Sequence, residues 1–327
     1  MWLHLSKIIK NPRIFSNKLR MISSKKVIID TDSGSDDTFC IGNMIYLHKH
    51  NSCNILGITT GCGNIPAYNS FQTASKVVNK LFNVSNISVY SSPSSSILDE
   101  KCSLFYGDDG HYGKLNNICN KIYVSSGTSD EFLFKCLNEV DDLTIIAIGP
   151  LTNLDLCEKK QPGILKKAKE IIIMGGAVKV PGNITANSEY NFWMNPESTK
   201  NVLKYDNIVI FPLDITHKLK FCIPNMLDKL KGHKHQKFYE EIISKIFNQN
   251  INYNEVSPYD KKIIIHDVLT ALYFEDNDLF DIKKEKIVID EKDGSINLDD
   301  NGYEIKVAYE CKNYNKAREM ILKMYDM

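Results

Sequence analysis

The chain carries the stretch KVIIDTDSGSDD at residues 26–37, where an apolar run ends in four closely spaced carboxylates. Residues 26–30 predict a buried β-strand, because Val and Ile favour strands. A helix is predicted from about Asp36 to Lys49, since acidic residues stabilise the first turn of a helix. A strand that leads directly into a helix is typical of βαβ units and of a parallel sheet.

The same alternation of strands and helices continues along the chain. We predict further strands at residues 55–60, 87–90, 143–148, 170–174, 207–211 and 305–309, and helices at 67–82 and 314–324. About forty polar residues after the third strand, and residues 229–262, are predicted to be long loops. The predicted fold class is α/β: a single doubly wound, mostly parallel open sheet with helices on both faces.

Composition excludes several classes of protein. The 327 residues include 40 basic and 40 acidic side chains, and 43% are hydrophobic, which excludes a disordered or collagen-like chain. A net charge of zero argues against nucleic-acid partners, and the apolar runs are too short to span a membrane. The nine cysteines form no CxxC pair, so we expect reduced thiols and neither a disulfide framework nor a zinc site.

The N-terminal segment differs in charge from the rest of the chain. Residues 1–26 hold seven basic and no acidic side chains. We therefore divide the chain into a basic extension, residues 1–25, which is disordered or a targeting signal, and one domain, residues 26–327. The expected location is cytoplasmic, and a mitochondrial or other organellar location is the alternative.

The acidic strand end predicts a metal site. Asp30, Asp32, Asp36 and Asp37 lie within eight residues, and like charges this close are costly unless a cation lies among them. Carboxylates without nearby His or Cys favour a hard divalent cation, calcium or magnesium, over zinc.

Two other interpretations of this strand end stay open at this point. The acidic residues could be a helix cap only. A strand that ends in Asp-x-Asp also occurs in phosphatases of the haloacid dehalogenase type, in which the first aspartate, here Asp30, would be the nucleophile. An EF-hand is excluded, because Ile41 stands at the twelfth position, where a ligand is needed.

Small and polar residues follow the other predicted strands. They are TTGCGN at 59–64, IGPLTN at 148–153 and MGGA at 174–177, and GNIT at 182–185, EYN at 189–191 and His266-Asp267 come later. Ligands of open parallel sheets bind beyond the carboxyl ends of the strands, so we expect these segments to surround one site.

Together these segments resemble the inosine–uridine nucleoside hydrolases, which cleave the N-glycosidic bond of ribonucleosides. The family's pattern occurs in order from residue 26 to the C-terminal helix: DTDxGxDD at 30–37, TTxxGN at 59–64, GPLTN at 149–153, MGGA at 174–177, GNxT and ExN at 182–191, LDxTH at 213–217 and HD at 266–267. Seven motifs in one order make the resemblance specific.

The resemblance implies a role for each matching residue. It implies that one Ca²⁺ is held by Asp32, Asp37, Asp267 and the backbone carbonyl of Ile148, with Asp32 also taking a proton from the attacking water. It further implies a set of ribose-binding residues: Asp36, Asn64, Met174, Asn183, Glu189 and Asn191.

The base end of the site is predicted less completely. The resemblance makes His266 a second catalytic residue, which protonates or helps to protonate the departing base, although a His next to a metal ligand can also be structural. Tyr106 stands where many members have His, and His111 could replace that imidazole or face solvent. Tyr253 and Tyr259 are predicted contacts of the base or ordinary surface tyrosines.

We therefore expect a calcium-dependent ribonucleoside hydrolase of nucleoside salvage, acting as a purine or uridine nucleosidase. Its only expected partners are the ribonucleoside and further copies of itself in a homodimer or homotetramer, as the resemblance implies. A metal-dependent phosphohydrolase and a nucleoside-binding protein without turnover are the alternatives.

Overall fold

A computed structural model describes residues 24–93, 96–119, 121–125, 127–252 and 255–327. Tyr253 and nearly all of the predicted basic extension lie outside these ranges. Eleven strands are described: β1 Lys25–Thr31, β2 Cys53–Thr60, β3 Val89–Ser91, β4 Leu143–Ala147, β5 Glu170–Met174, β6 Ile208–Phe211, β7 Lys220–Cys222, β8 Lys262–Ile264, β9 Phe280–Ile289, β10 Ile296–Leu298 and β11 Tyr303–Cys311.

Nine of these strands form one open sheet in the order β10-β9-β11-β6-β5-β4-β1-β2-β3. The seven strands from β11 to β3 run parallel to one another, whereas β9 and β10 pair antiparallel at one edge. The remaining pair, β7 and β8, forms a small antiparallel sheet. The predicted fold class, a doubly wound and mostly parallel sheet, is confirmed.

The described α-helices pack on both faces of the sheet. They are α1 Asp37–Lys49, α2 Ala67–Lys76, α3 Ser96–Lys101, α4 Ser129–Glu139, α5 Thr152–Lys160, α6 Tyr190–Met194, α7 Pro196–Val202, α8 Leu213–Thr216, α9 Ile223–Leu230, α10 Gln236–Asn252, α11 Val268–Glu275 and α12 Tyr314–Leu322. Among them, none is long and apolar enough to cross a bilayer.

Alternating side chains of β1 enter two separate cores. Val27 and Ile29 pack in one apolar cluster, with side chains of α1 and α11, and Ile28 packs in the other, with side chains of α4 and α5. Both faces of this central parallel strand are therefore buried, which explains why Val27, Ile28 and Ile29 are all apolar.

Several elements differ from the sequence-based prediction, among them the short strands β7, β8 and β10, which were not predicted. The helix predicted at 67–82 becomes a π-helical turn from Val77 to Leu81. The predicted loop at 229–262 contains α10, a helix of 17 residues. Strand β9 was not predicted, because it reads FDIKKEKIVI and its many exposed charged side chains leave neither a continuous apolar run nor a simple alternation.

Candidate active site

The carboxyl ends of β1, β2, β4 and β5 open onto one cavity, which together with the solvent space at its mouth encloses about 790 Å³. Such a position is where open parallel sheets bind their ligands. It is lined by ten of the predicted site residues: Asp36, Asn64, Tyr106, Ile148, Met174, Asn183, Glu189, Asn191, His266 and Asp267. The fold thus brings together, at the carboxyl ends of the strands, segments that are more than two hundred residues apart in the chain.

Three buried carboxylates converge at this cavity. Asp36, Asp37 and Asp267 each offer an oxygen, and these oxygens lie within 4.8 Å of one another. Asp37 accepts a hydrogen bond from the Thr31 hydroxyl and one of 2.8 Å from the backbone N–H of Gly34. The turn between β1 and α1 therefore holds Asp37 in place.

The electrostatics of this cluster fit a cation. Burial, and then the charge of Asp36, raises the pKa of Asp37 to about 7. Burial and the neighbouring carboxylates raise the pKa of Asp267 well above its usual value. Because the donors are oxygen atoms and the charges that they face are negative, a hard divalent cation would relieve the repulsion.

Asp32 is fully buried beside this cluster. Its Oδ2 accepts a 2.7 Å hydrogen bond from the backbone N–H of Asn64, and its Oδ1 accepts one of 3.1 Å from Asn64 Nδ2. Burial, and then the charge of Asp37, raises the pKa of Asp32 well above its usual value. It is not one of the three carboxylates that converge within 4.8 Å, although the family resemblance places it among the ligands.

Asp30 faces away from the cavity. Its Oδ1 accepts hydrogen bonds of 2.6 Å from the Thr59 hydroxyl and 2.8 Å from Asn153 Nδ2, and burial raises its pKa to about 6. It does not line the cavity. Thr59 and Asn153, which belong to two of the sequence motifs, therefore hold a structural carboxylate.

A second wall of the cavity is built around Glu189. Its carboxylate accepts hydrogen bonds of 2.9 Å from the backbone N–H groups of Asn191 and Gly176, and burial raises its pKa to about 7. Asn183 Oδ1 accepts a 2.9 Å bond from the backbone of Tyr190, at the start of α6. These polar groups are oriented by backbone contacts and so form a rigid surface.

A third wall combines Tyr106, His266, Asn250 and Glu255. Tyr106 is buried, and burial, followed by the charge of Asp36, raises the pKa of its hydroxyl well above the usual value. His266 Nδ1 lies 2.9 Å from the Thr216 hydroxyl, and burial lowers the pKa of the His266 imidazole. Sequence reasoning did not find Asn250 or Glu255, since a single amide and a single acid in a polar segment carry no distinguishing pattern.

The structure places two of the residues considered for the base end, His111 and Tyr259, outside the cavity lining. His111 neither joins the cavity nor faces solvent: it is fully buried, and its Nε2 lies 2.7 Å from the Thr38 hydroxyl. Tyr259 is 90% exposed and does not line the cavity. Tyr253, the other tyrosine predicted near the base, lies outside the described residues.

The cysteines agree with the expectation of reduced thiols. All nine are free, and the closest described pair, Cys62 and Cys102, has its sulfur atoms 2.8 Å apart. These two side chains and Asp99 could also hold a metal ion by distance, a grouping that the sequence did not predict.

Comparisons with known proteins identify relatives of the chain. It is 33% identical over 199 residues to Uncharacterized protein C1683.06c of Schizosaccharomyces pombe, covering 59% of this chain and 63% of that one. It is 28% identical over 218 residues to the pyrimidine-specific ribonucleoside hydrolase RihB of Escherichia coli strain SE11, covering 64% and 66%. The matched segment is thus slightly less than two thirds of either relative.

Two solved structures of nucleoside hydrolases superpose on most of the chain. A plant nucleoside hydrolase, the PpNRh1 enzyme, superposes with a TM-score of 0.80 at 21% identity, covering 93% of this chain and 99% of that one. A purine-preferring ribonucleoside hydrolase from Gardnerella vaginalis gives 0.77 at 20% identity, covering 92% and 98%. A family model described as inosine-uridine preferring nucleoside hydrolase matches residues 27–320. The chain therefore belongs to the inosine-uridine preferring nucleoside hydrolase family.

Proposed function

We propose that the protein hydrolyses the N-glycosidic bond of ribonucleosides, giving ribose and the free base, with Ca²⁺ as its cofactor. The observation that carries this proposal is the buried carboxylate cluster of Asp36, Asp37 and Asp267 on the wall of a cavity lined with hydroxyl-binding groups. Family membership supports the reaction class.

Calcium is proposed to bind Asp32, Asp37, Asp267 and the backbone carbonyl of Ile148. All four are oxygen donors, which suits a hard cation, and Asp37 and Asp267 already share one cluster. When bound, Ca²⁺ supplies positive charge that acidifies a water molecule and holds hydroxyl oxygens.

Asp32 is proposed as the general base. Its carboxylate accepts two hydrogen bonds from Asn64, which fix its position and leave further lone pairs free to accept a proton. In the reaction the oxygen of water bonds to C1′, the C1′–N bond breaks and its electron pair passes to the base. The proton that the water loses goes to Asp32, and the base nitrogen finally gains one proton.

The remaining walls are proposed to bind the ribose. Asp36, Asn64, Glu189 and Asn191 would bind its hydroxyls, Asn183 the 5′-hydroxyl, and Met174 would pack against the sugar. Asn191 Nδ2 donates a 3.2 Å hydrogen bond to the backbone oxygen of Met174. This bond holds the Asn191 amide next to Met174. Bonds that tighten as positive charge develops on the sugar raise kcat rather than affinity alone.

The alternatives have less support. A phosphohydrolase would use Asp30 as nucleophile, yet its Oδ1 already accepts hydrogen bonds from Thr59 and Asn153, which hold Asp30 as a structural carboxylate. A binding protein without turnover has no need of a carboxylate that is placed like Asp32 next to the cluster.

The proposal is tested by measuring the ribose released from inosine, uridine, cytidine and adenosine, with and without a chelator. We expect release from inosine and uridine that the chelator abolishes and that added Ca²⁺ restores. Asp32→Asn should lower kcat by about 100-fold or more, because a general base contributes about 10² to 10⁴ in rate. The exposed Asp300→Asn is the matched control. No ribose from any of the four substrates contradicts the proposal.

Location and assembly are proposals of the same kind. We place the enzyme in the cytoplasm, with an organelle as the alternative through the basic extension, and expect a homodimer or homotetramer. Cell fractionation and light scattering coupled to size exclusion test the two points separately.

A further inference from the structure

Three side chains from distant parts of the chain meet at one wall of the cavity. Oxygen and nitrogen atoms of His217, Glu255 and His266 lie within 4.8 Å of one another. Glu255 Oε1 is 3.4 Å from His217 Nε2 and 3.8 Å from His266 Nε2. The centroids of the two imidazole rings are 5.7 Å apart, and the ring planes are inclined at 64°.

The carboxylate of Glu255 is held firmly in this position. Its Oε2 accepts a 2.7 Å hydrogen bond from Asn250 Nδ2, and Asn250 Oδ1 in turn accepts one of 2.9 Å from the backbone N–H of Ile264, in β8. The backbone of Glu255 is also fixed, because its carbonyl accepts a 2.7 Å bond from Lys220 Nζ. The side chain is only 11% exposed.

Such an arrangement keeps Glu255 charged inside the protein. Burial alone would raise the pKa of Glu255, but the contacts with His217, His266 and Asn250 outweigh it and lower that pKa. A buried charge is costly to maintain unless it is paired and hydrogen-bonded, so this one needs an explanation. None of the family motifs includes Glu255 or Asn250.

The orientation of His266 depends on two neighbours. The Thr216 hydroxyl lies 2.9 Å from Nδ1 on one side of the ring, and Glu255 lies beyond Nε2 on the other. If the hydroxyl donates to Nδ1, the ring carries its hydrogen on Nε2. At 3.8 Å that N–H is too far from Glu255 for a hydrogen bond, so it stays available to the cavity.

We propose that Glu255 is a positioning residue that aims the Nε2–H group of His266 at the departing base. This inference rests on the proposed nucleoside hydrolase activity. When the C1′–N bond breaks, its electron pair passes to the base, and a preoriented N–H donor stabilises the negative charge that develops there. The carboxylate acts electrostatically: its charge, 3.8 Å from Nε2, favours the ring form with the hydrogen on Nε2 and strengthens that N–H as a donor, while the Thr216 hydroxyl contacts the other side of the ring.

The test compares two leaving groups. Glu255→Gln keeps the shape of the side chain and removes its charge. For uridine and inosine we expect kcat to fall by about 10- to 100-fold with KM within about threefold, because the interaction lost is made only in the transition state. For 4-nitrophenyl β-D-ribofuranoside, whose leaving group is a stable anion, kcat should stay within about threefold.

Controls separate positioning from folding. Glu255→Asp restores the charge and should recover part of the lost kcat. Glu197→Gln, at a side chain that is 71% exposed, should leave both substrates unaffected. In a His266→Ala background, Glu255→Gln should cause no additional loss, since the group that it positions is absent. Thermal melting of each variant confirms that it is folded.

Two results would overturn the inference alone. If the wild-type enzyme is active and Glu255→Gln lowers kcat equally for both leaving groups, Glu255 supports the fold or the ribose end. If nucleoside turnover does not change at all, it has no role. A wild-type protein that cleaves neither substrate refutes the proposed function, and this inference with it.

Discussion

The position of Asp32 depends on a neighbouring glycine, which offers a sharp test of the proposed general base. A Cβ atom added at Gly63 would lie 2.0 Å from Asp32 Oδ2, 2.7 Å from Pro150 Cδ and 2.8 Å from Asp32 Cβ. Atoms in ordinary contact are 3.4–4 Å apart. In Gly63→Ala the carboxylate therefore has to move by more than an ångström, or the loop has to move away from it.

Either movement should slow catalysis while leaving the protein folded. A displacement of about 1 Å in a catalytic group can cost about 100-fold in rate. Crowding one methyl group into a packed site typically costs about 1–3 kcal/mol of unfolding free energy. If the loop moves instead, the 2.7 Å bond from the Asn64 N–H to Asp32 is lost, so that kcat falls by either route. We expect a folded protein with kcat for uridine reduced by about 100-fold.

Gly61→Ala is the matched control, because it lies two residues earlier in the same loop. A Cβ there would meet only Asn153 Nδ2, at 3.6 Å, which is an ordinary contact. The assay is ribose release at saturating uridine, with urea unfolding of all three proteins. If Gly63→Ala keeps kcat within threefold of Gly61→Ala, the position of Asp32 does not limit the reaction and our assignment of the base is wrong.

Three further predictions concern stability. Added Ca²⁺ at about 100 times its Kd should stabilise the wild type by about 2.7 kcal/mol, and Asp267→Asn should remove most of this gain in a thermal melt. Folded Glu189, with a pKa of about 7, holds a proton that the unfolded chain releases near 4.5. Wild-type stability in urea should therefore fall as pH rises from 4.5 to 7, and Glu189→Gln should reduce that slope. Asn153→Ala removes a 2.8 Å bond to the buried Asp30 and should cost about 1–3 kcal/mol of unfolding free energy.

The sequence was sufficient to predict the parallel part of the fold and the outline of the site. Continuously apolar runs such as 143–148 and 170–174 can be buried only in a sheet covered on both faces, and the structure has strands there. The polar residues that follow those strands had to meet at one edge of the sheet. The placement of Asp32 and Asp36 at this edge follows from the pattern, whereas the roles proposed for Asp32 and Asp267 come from the family resemblance.

Other features could not be predicted from their own stretch of sequence. Strand β9 buries Phe280 in one apolar cluster and Ile287 and Ile289 in the other, and the charged residues between them leave neither a continuous apolar run nor a simple alternation. Helix α10 lies in a polar segment whose periodicity is weak, and its stability comes from packing buried residues such as Ile242 and Ile246. His111 shows the same limit, because only the tertiary structure places Thr38 against its ring.

The contrast between the two ends of the cavity has a physical cause. At the proposed ribose end, carboxylates such as Glu189 accept hydrogen bonds from backbone N–H groups of nearby turns, so the residue and its spacing are fixed together in a motif. At the other end, Glu255 contacts His217 and His266 through side chains alone, and these come from separate loops. Such contacts can change without disturbing the carboxylate cluster. Under the proposed function, the wall around Glu255 is therefore the place where base preference should be sought.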